Sequence, residues 1–481
     1  MFFGQPKEAR KEEKREVEET KPSRRLAEIR RLEDELIEEL NRIVHQDKAK
    51  LQCPKAFLLG VDYDPDSNMA IMKFYDVVEG TVFVNRDDTE HRPYLLTDLT
   101  REEVREKALK GGLIQSIVDI VEVAKYDPLR DREVKLNKVI VKTPQDVGGH
   151  AGRRGLRGII GEEHAWEARI KYYLCYLYDS KDLWPSAIYS IRNGKRMLVK
   201  SADIDDVLRV ISPRFEDLVR KYVPILMQEI PEVRFYAMDI EAGSTPEKMP
   251  DPRDPREPII SVSLVWEKDG DLVGEVFLLD WAHKIERGML GEIKIVSDGE
   301  GFRVGVTELN GRRITVHIYD TEKLLLLHLF KKLWSIPVLV TFNGDNFDLN
   351  YMYSRARHIG IDRKLIPFSV RKTGDLVLAE LKVGIHIDLY KFFMNGAVKT
   401  YVFKDAYETT SLDEISRVLL GERKLVEVVN FEAMSLSDIA QYNWWDAYLT
   451  ARLFTYKNWL PWRVMVILSR ITRYPVRDLT R

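Results

Sequence analysis

The stretch Phe235-Tyr-Ala-Met-Asp-Ile-Glu241 is a short apolar run that ends with two carboxylates. In a β-strand, successive side chains alternate between the two faces of the sheet, so Asp239 and Glu241 would point to the same face. Two acidic groups side by side repel each other and gain nothing from packing. Their pairing is explained if a cation binds between them, so the stretch predicts a strand that presents a metal site.

Another acidic side chain follows a second apolar run. Residues 336–342 predict a buried strand, which leads into Asn343-Gly-Asp-Asn-Phe-Asp348 and then into a helix that ends before Gly360. Asp348 would therefore lie where a buried strand is followed by a helix. This is a suitable position for a ligand that faces a cleft.

The last predicted long helix, at residues 437–459, adds two more candidates. Tyr442 and Asp446 are four residues apart in the sequence, so they share one face of this helix. A tyrosine hydroxyl and a carboxylate that point the same way among apolar neighbours indicate a site. By contrast, we expect Asp345 to be a turn residue and Asp388 to accept backbone hydrogen bonds. Trp444 and Trp445 are expected to be packing residues.

The composition limits the class of protein. The chain has 481 residues, of which 44% are hydrophobic and 32% charged, enough for two to four globular domains. It has no run of about 18 uncharged apolar residues and no apolar signal core, so we expect neither a membrane span nor secretion.

The two cysteines, Cys53 and Cys175, fit a reducing compartment, and we expect a cytoplasmic protein. The net charge of −2 restricts nucleic-acid contacts to local patches. The high charge and the seven glutamines are typical of thermophilic proteins.

Residues 1–50 comprise a charged tail and an amphipathic helix. We expect the first part of the tail to be disordered, and the helix to span residues 26–44. That helix either packs on the body of the protein or docks a partner subunit, and the general rule for apolar stripes favours packing. Residues 56–96 predict antiparallel strands. The glycine-rich basic loop at residues 148–158 has two open interpretations: it approaches a phosphate backbone closely, or it is a solvated flexible loop. Four tyrosines at residues 167–178 predict a helix with an aromatic, core-facing side.

Pro231 interrupts the chain, so we place a domain boundary near residue 230. Beyond it, residues 259–266 and 273–279 predict neighbouring strands joined by a hairpin turn. Residues 285–318 predict an inserted β-hairpin, and residues 322–334 predict a helix.

Three motifs together resemble the exonuclease motifs of archaeal family B DNA polymerases, closest to the crenarchaeal replicative type. They are Asp239-Ile-Glu241, Asn343-Gly-Asp-Asn-Phe-Asp348 and Tyr442-x-x-x-Asp446, in the family's order and at similar separations. The first motif alone is common by chance, but three on the expected elements are specific. The flanking stretch Ile387-Asp-Leu-Tyr-Lys-Phe-Phe393 and residues 468–480 agree, so the resemblance covers residues 56–481.

The resemblance implies an α/β fold class with defined domains. Residues 51–230 would form an α+β N-terminal domain, and residues 231–459 a ribonuclease-H-like exonuclease domain with a mixed sheet. Residues 460–481 would return to the N-terminal domain and lead towards a palm domain.

The implied activity is 3′–5′ proofreading during DNA replication, in which 3′-terminal nucleotides are hydrolysed. Two Mg²⁺ ions roughly 4 Å apart supply the nucleophile and stabilise the leaving oxygen, with Mn²⁺ as a substitute. Hard cations prefer carboxylates, and the chain has no His or Cys cluster in their place. In the family's arrangement, Asp239 bridges both ions, Glu241 and Asp446 bind the ion on the nucleophile side, and Asp348 holds the second ion.

Other roles follow from the same resemblance. Tyr442 would orient the attacking water, while Asn343 and Phe347 would position the terminal nucleotide or the backbone of the motif. The family's N-terminal domain senses template uracil, and Pro93 and Tyr94 match one wall of its pocket. Cys175 stands where the arginine of that pocket is expected, so uracil sensing stays open.

The palm and fingers motifs of the family do not occur in this sequence, which stops at Thr480-Arg481, where the resemblance places the start of the palm. We therefore expect no DNA extension by this chain alone. A truncated chain, a split-gene product and an exonuclease-half paralogue all stay open. The expected partners are primer–template DNA with a single-stranded 3′ end and a palm-bearing chain or segment, with a sliding clamp or an accessory subunit as further candidates.

Two other functions fit the same acids. The chain could be a catalytically idle scaffold that holds DNA or a replication partner, in which case the basic loop at residues 148–158 would matter more. It could also be an RNA-trimming nuclease on the same fold.

Overall fold

The structure is a computed structural model that describes residues 21–479 except residues 88, 151, 181, 200–203, 244–249, 300, 374–375 and 426–429. The disorder expected for the first part of the chain therefore lies largely outside the described residues. Within the described part, no helix combines the length and the apolar character needed to cross a membrane.

The elements before the proposed boundary near residue 230 are, in chain order, α1 Lys21–His45, β1 Gln52–Asp64, β2 Met69–Asp76, β3 Thr81–Arg86, β4 Tyr94–Thr97, α2 Arg101–Lys110, β5 Ile117–Asp127, β6 Arg132–Val141, α3 Pro144–Gly148, β7 Gly149–His150, β8 Arg153–Arg154, α4 Leu156–Ile160, α5 Tyr172–Asp179, β9 Ile188–Arg192, β10 Lys195–Leu198, α6 Asp205–Val210 and α7 Glu216–Leu226. Short 3₁₀ turns connect some of them.

The elements after the boundary are β11 Phe235–Ala242, β12 Ile259–Lys268, β13 Asp271–Leu279, β14 Lys294–Asp298, β15 Phe302–Leu309, β16 Arg312–Tyr319, α8 Glu322–Leu333, β17 Val338–Thr341, α9 Asp348–His358, β18 Phe368–Thr373, β19 Leu376–Leu381, β20 Ile385–Asp388, α10 Leu389–Met394, α11 Leu412–Leu420, α12 Leu436–Phe454, α13 Tyr456–Thr472 and α14 Val476–Leu479.

The described strands of the first half of the chain form two larger antiparallel sheets and the two-stranded pair β7-β8. One has the strand order β10-β9-β1-β2-β3, and the other has the order β4-β6-β5 and is covered by α2, α3 and α4. Helix α5 starts at Tyr172, later than the sequence pattern indicated. Its residues Tyr172, Tyr173 and Tyr176 are buried in the core, as expected, whereas Tyr178 is exposed.

The second half builds a mixed sheet with the strand order β14-β15-β16-β13-β12-β11-β17-β20. Strand β17 runs parallel to both β11 and β20, and β13 runs parallel to β16, while the other neighbours are antiparallel. This arrangement confirms the α/β class. The segment expected to be an inserted hairpin has antiparallel pairing between β14 and β15 and between β15 and β16, and β16 in addition joins the segment to the main sheet through β13.

Helices cover both faces of this sheet. Successive strand residues point to opposite faces, and Gly274 and Glu275 of β13 show where each helix lies. A Cβ on Gly274 would lie 2.4 Å from Nε1 of Trp444 in α12, so α12 approaches that face closely. The Glu275 carboxylate instead pairs with Lys332 of α8. The sheet is therefore enclosed between α12 and α8, and α12 lies across β11, β12 and β13.

Helix α12 ends five residues before the predicted end at residue 459. Lys457, Asn458 and Trp459 have φ angles of 44°, 57° and 62°, in the left-handed region. L-residues adopt this conformation at a cost, so the regular helix cannot continue through them. The chain turns there and starts the regular part of α13.

Helix α1 packs against α8 on the body of the protein. Its residues Leu36 and Leu40 are 5% and 0% exposed within the main core. At its edge, Arg25 donates to Asp320 at 2.8 Å, and Lys331 of α8 pairs with Glu39 at 2.5 Å. The packing alternative for the amphipathic helix thus matches the structure.

Helix α14 contacts the five-stranded sheet of the first half of the chain. The Arg477 guanidinium of α14 donates to Asp62 of β1 at 2.6 Å, and Lys73 of β2 pairs with the same carboxylate at 2.5 Å. Burial favours the neutral acid, but the two cations hold the pKa of Asp62 well below its usual value. The buried Asp62 carboxylate, paired with these two cations, therefore links α14 to strands β1 and β2.

Candidate active site

Strand β11 presents its two acids to the helix that covers it. Asp239 pairs across the sheet with Ser263 of β12, and Glu241 pairs with Ser261. Because these positions alternate by two, all four side chains point to the same face, where α12 lies. The local sequence explains this geometry: an apolar residue fills each intervening position and faces the other side.

Helix α12 supplies the third acid. One ligand oxygen each from Asp239, Glu241 and Asp446 lie within 4.8 Å of one another. Asp446 is 2% exposed and Tyr442, one turn earlier, is 7% exposed. The pairing on one helix face predicted from their spacing therefore brings both side chains to the acids of β11.

Asp348 is the first residue of α9, directly after the loop that follows β17. Its Oδ1 accepts a hydrogen bond of 3.2 Å from the backbone N–H of Ile240 in β11. The parallel ladder between β11 and β17 ends at Ala237 and Val340, so this carboxylate satisfies a strand donor beyond the ladder. Asp348 lies outside the group of three acids that share 4.8 Å, but it adds its charge beside Asp239.

The electrostatics of the site follow from burial and like charges. Burial, and then the charges of Asp348, Asp446 and Glu241, raise the pKa of Asp239 well above its usual value. Burial and the neighbouring Asp446 raise the pKa of Glu241 in the same way. Burial also raises the pKa of Asp348 to about 7. The acids repel one another in the absence of a cation, which is the arrangement expected of a metal site.

A lysine that the motifs did not indicate lies beside these acids. The Nζ of Lys424 is 2.7 Å from Oδ2 of Asp446. Burial disfavours its charged form, but Asp446, Tyr442 and Asp239 keep the pKa of the ammonium above its usual range. Lys424 lies in a loop without a regular pattern, so no spacing in the sequence connects it to the acids.

Asn443 is the second residue beside the acids that the sequence analysis did not indicate. Its side-chain amide donates to Oδ2 of Asp239 at 2.7 Å, and its Oδ1 accepts hydrogen bonds from Ser261 and Ser263 at 2.8 and 2.6 Å. Asn443 is fully buried, and its amide holds one rotamer of Asp239. The signal was present in the sequence, since two serines at alternate positions of an apolar strand need a buried polar partner.

The residues that precede Asp348 form a hydrogen-bonded turn. The backbone N–H groups of Asn343 and Asp345 donate to Asp388 at 2.8 and 3.2 Å, so Asp388 accepts backbone hydrogen bonds as expected. Asp345 pairs with Lys391 and accepts from the backbone of Ala379, and so belongs to this turn. Asn343 has a left-handed φ of 71°.

The three aromatic residues of the motifs are packed side chains. The Phe347 ring stacks on Tyr351, with centroids 5.6 Å apart. Trp444 and Trp445 are 0% and 7% exposed and pack against Tyr448.

The residues of the expected uracil pocket are buried and hydrogen-bonded within the protein. The Tyr94 hydroxyl donates to Glu167 at 3.0 Å and to Asp179 at 3.3 Å. The Lys138 ammonium lies 3.7 Å from the centre of the Tyr94 ring. Pro93 and Cys175 are buried nearby. Tyr94 thus contributes to an internal polar network.

The fold and the site define a class of protein, an α/β protein whose sheet and covering helix bring carboxylates into one buried site. Comparison with known families identifies the family to which the protein belongs. Residues 163–404 match the model of the DNA polymerase family B exonuclease domain, and the chain belongs to DNA polymerase family B.

Individual relatives agree with this family. The chain is 33% identical over 434 residues to DNA polymerase 1 of Sulfolobus acidocaldarius, a match that covers 88% of this chain and 45% of the relative. DNA polymerase 1 of Saccharolobus solfataricus gives the same identity and coverage. DNA polymerase 1 of Aeropyrum pernix is 30% identical over 437 residues, with 42% of it covered. The chain thus spans less than half the length of these relatives.

Proposed function

We propose that this chain is a metal-dependent 3′–5′ DNA exonuclease that removes 3′-terminal nucleotides in proofreading. One observation supports this most directly: acids from β11 and α12, distant in sequence, have ligand oxygens within 4.8 Å of one another. Such a cluster costs free energy because its carboxylates are buried and repel one another. A bound cation would compensate this cost. Two of these acids, Asp239 and Glu241, lie within the residues that match the family B exonuclease domain, which indicates the reaction.

The donor set fits a hard divalent cation. It consists of carboxylate oxygens, which Mg²⁺ and Mn²⁺ prefer. Within the described part of the chain, Oδ1 of Asp446 is buried and has no hydrogen-bond partner, so this oxygen has a lone pair free for a ligand. Asp239, Glu241 and Asp446 would hold one ion, and Asp348 with Asp239 would hold the second. When bound, two such ions activate a water and stabilise the leaving oxygen of the phosphodiester.

The protein's own groups would orient the reactants. Burial and the nearby acids raise the pKa of Tyr442 above its usual value, so its hydroxyl stays protonated at neutral pH and can orient the attacking water. Asn443 fixes Asp239 in one rotamer. The Lys424 ammonium holds Asp446 and lies where it would balance the negative charge of a phosphate. Asn343 and Phe347 shape the turn before Asp348, and we propose that they position the terminal nucleotide.

Single-turnover digestion tests this function. Wild-type protein with Mg²⁺ should shorten a 3′-mismatched DNA strand, and Asp239→Asn should reduce the rate by at least a thousandfold. Glu308→Gln, which changes an exposed acid of β15, serves as the control and should keep the wild-type rate. Equal rates in Asp239→Asn and wild type would reject the proposal. DNA binding without hydrolysis in Mg²⁺ or Mn²⁺ would favour the scaffold alternative, and a preference for RNA would favour the RNA-trimming one.

The domain division stays a proposal that the sheets support. Among the described strands, those before residue 230 pair only with one another, and so do those after it. We therefore propose an N-terminal domain at residues 51–230 and the exonuclease domain at residues 231–459. Residues 460–481 return to the first domain, as the contact between Arg477 and Asp62 supports.

We also propose that a palm-bearing chain or segment packs on α13. The outer side of this helix has apolar residues at helical spacing, with Ile467, Leu468 and Ile471 exposed by 44%, 38% and 58%. Its opposite side is buried against the body through Trp462, Met465 and Val466. A helix that is apolar on both sides is normally covered on both. The relatives are more than twice as long as the matched part, so material of that kind is a suitable cover.

A further inference from the structure

In the basic loop at residues 148–158, of which the structure describes all but residue 151, two short strands pair with each other, and the exonuclease site does not account for them. Strand β7 pairs with β8, with Gly149 opposite Arg154 and His150 opposite Arg153. We call residues 148–158 the glycine–arginine hairpin. It lies in the lobe formed by β4, β5, β6 and α2 to α4.

The base of the hairpin is held by two backbones that cross closely. A Cβ on Gly155 would lie 2.2 Å from the Gly149 nitrogen and 2.5 Å from the Val147 oxygen. Gly149 also has a φ of +88°, which favours glycine. Both positions therefore require glycine, and the crossing allows little freedom in the direction of the hairpin.

Buried anchors fix both ends of the hairpin. Val147 before β7 and Leu156 after β8 are 7% and 1% exposed in the core of the lobe. Asp146 caps the short helix α3 through Thr143 and accepts from the Ser116 hydroxyl at 2.8 Å. These contacts hold the described residues on either side of the paired strands to the core of the lobe.

The hairpin presents positive charge without internal compensation. Arg153 and Arg154 are exposed, and within the described residues neither has an ion pair or a side-chain hydrogen bond. The next arginine differs, since Arg157 pairs with Glu162 at 3.0 Å. An open concavity of about 530 Å³ lies against this pair, lined by Gly148, Gly149, His150, Gly152, Arg153 and Arg154.

Glycine and arginine around one concavity suit a phosphate ligand. Glycine lets a phosphate approach the main chain, and guanidinium groups form bidentate, charge-assisted hydrogen bonds to phosphate oxygens. The chain has a net charge of −2, so a strand of nucleic acid can gain electrostatic attraction only at local patches such as this one. Both arginines line this concavity, so a strand bound there would meet two guanidinium groups.

We propose that the glycine–arginine hairpin is a DNA-binding site separate from the exonuclease site, which contacts the phosphodiester backbone of a single strand. This inference rests on the proposed function, because it takes DNA as the substrate class. It adds a contact that retains the strand by its backbone and without regard to base sequence.

The test compares two double variants of equal charge change. Arg153→Ala/Arg154→Ala removes the exposed pair, and Arg101→Ala/Arg105→Ala removes two exposed arginines of α2 in the same lobe. Binding of a 30-nucleotide single strand is measured by fluorescence anisotropy in EDTA, between 50 and 200 mM salt. The hairpin variant should bind about tenfold more weakly, and the slope of log K against log salt should fall by about 1.4, as expected for two lost phosphate contacts on a single strand. The α2 variant should match wild type.

Digestion by the full chain gives the second readout. The hairpin variant should digest a three-nucleotide DNA at the wild-type rate, and a 30-nucleotide strand about tenfold more slowly at subsaturating DNA. Unchanged binding and salt slope would overturn the inference, as would equal slowing on both lengths. Full competition by millimolar pyrophosphate with no dependence on strand length would also overturn it, because that result indicates an isolated anion site.

The two proposals fail in different ways. If wild-type protein digests DNA and the hairpin variant behaves like wild type, the inference fails and the exonuclease stands. If wild type binds the long strand through the hairpin but hydrolyses nothing with Mg²⁺ or Mn²⁺, the exonuclease fails and the DNA contact stands. Arg153→Lys/Arg154→Lys should keep most of the salt slope, which separates loss of charge from loss of fold.

Discussion

Asp348 makes the stability of the metal-free protein depend on pH. Its pKa is raised to about 7, mainly by burial, whereas an unfolded Asp has a pKa near 3.9. Between these values the folded state binds more protons than the unfolded state, so this group lowers stability as the pH rises through that window. Asp348→Asn removes the effect. We predict that the variant gains melting temperature relative to wild type as pH increases from about 4 to 7, measured in EDTA.

Magnesium should reverse this difference. A cation stabilises the ionised acids, so adding Mg²⁺ at pH 8 should raise the melting temperature of wild type more than that of Asp348→Asn. The control is Asp271→Asn, which changes an exposed acid at the start of β13. Asp438, another exposed acid, is unsuitable as a control because its side chain caps α12. A difference between Asp348→Asn and wild type that does not change with pH would contradict the prediction.

Asn443 should affect activity through the position of Asp239. In Asn443→Asp the shape and the acceptor for Ser261 and Ser263 stay, but the donor to Asp239 is lost and a second carboxylate replaces it. We predict a drop in exonuclease rate of tenfold or more at pH 7, with a partial recovery when Mg²⁺ is raised. Single-turnover rates over a range of Mg²⁺ measure both effects.

A second substitution at this position separates positioning from stability. Asn443→Leu leaves the hydroxyls of Ser261 and Ser263 without their acceptor, which costs roughly 1–3 kcal/mol per buried unsatisfied group. This variant should therefore unfold earlier than Asn443→Asp. If Asn443→Asp digests DNA at the wild-type rate, Asn443 is only a structural residue.

The acids could be predicted from the sequence because each lies at a regular spacing on a recognisable element. Asp239 and Glu241 alternate on a strand, and Tyr442 and Asp446 are one helical turn apart. Lys424 could not be predicted, because only the fold of an irregular loop brings its ammonium to Asp446. Asn443 could have been found, since it is a buried amide in an apolar helix opposite two strand serines.

At the scale of elements, the contact between α1 and α8 should contribute measurable stability. Leu40 is 0% exposed in that contact, whereas Leu26 at the start of α1 is 57% exposed. Leu40→Ala should lower the free energy of unfolding by about 2–5 kcal/mol, the usual range for a buried leucine. Leu26→Ala is the matched control and should stay within about 0.5 kcal/mol. Urea unfolding followed by circular dichroism measures both.

The same pair of variants decides between the two interpretations of α1. If Leu40→Ala unfolds like wild type, the helix does not need the body of the protein, and docking to a partner subunit becomes the better interpretation.

Helices with a regular apolar pattern were predicted well. Features that depend on tertiary contacts were not. Helix α8 spans Glu322–Leu333 against a prediction of residues 322–334, and α9 ends at His358, before Gly360 as predicted. The break between α12 and α13 was missed, because the apolar pattern continues through Lys457, Asn458 and Trp459 while the backbone becomes left-handed. The hairpin pairing of the segment before α8 was predicted, but its connection to the main sheet was not, because the parallel pairing of β16 with β13 joins strands far apart in sequence and leaves no local signal.

For the whole molecule, the outer face of α13 leads to the last prediction. Ile471 is 58% exposed on that face, although the same helix buries Trp462 and Val466 on its other side. If a palm-bearing chain or segment covers the face, a photo-reactive benzoylphenylalanine at Ile471 should cross-link to it in the native cells. Leu129, which is 96% exposed on the turn between β5 and β6, gives a control site with the same chemistry.

The cross-linked peptide is identified by mass spectrometry. We expect a peptide with family B palm sequence at Ile471 and none at Leu129, because only an apolar surface that a partner covers keeps the probe in fixed contact. A cross-link from Ile471 to a second copy of this chain would instead assign the face to self-association. Equal cross-linking from both sites would indicate non-specific contact. Either result would reject the palm-bearing partner for this surface and leave the exonuclease proposal unaffected.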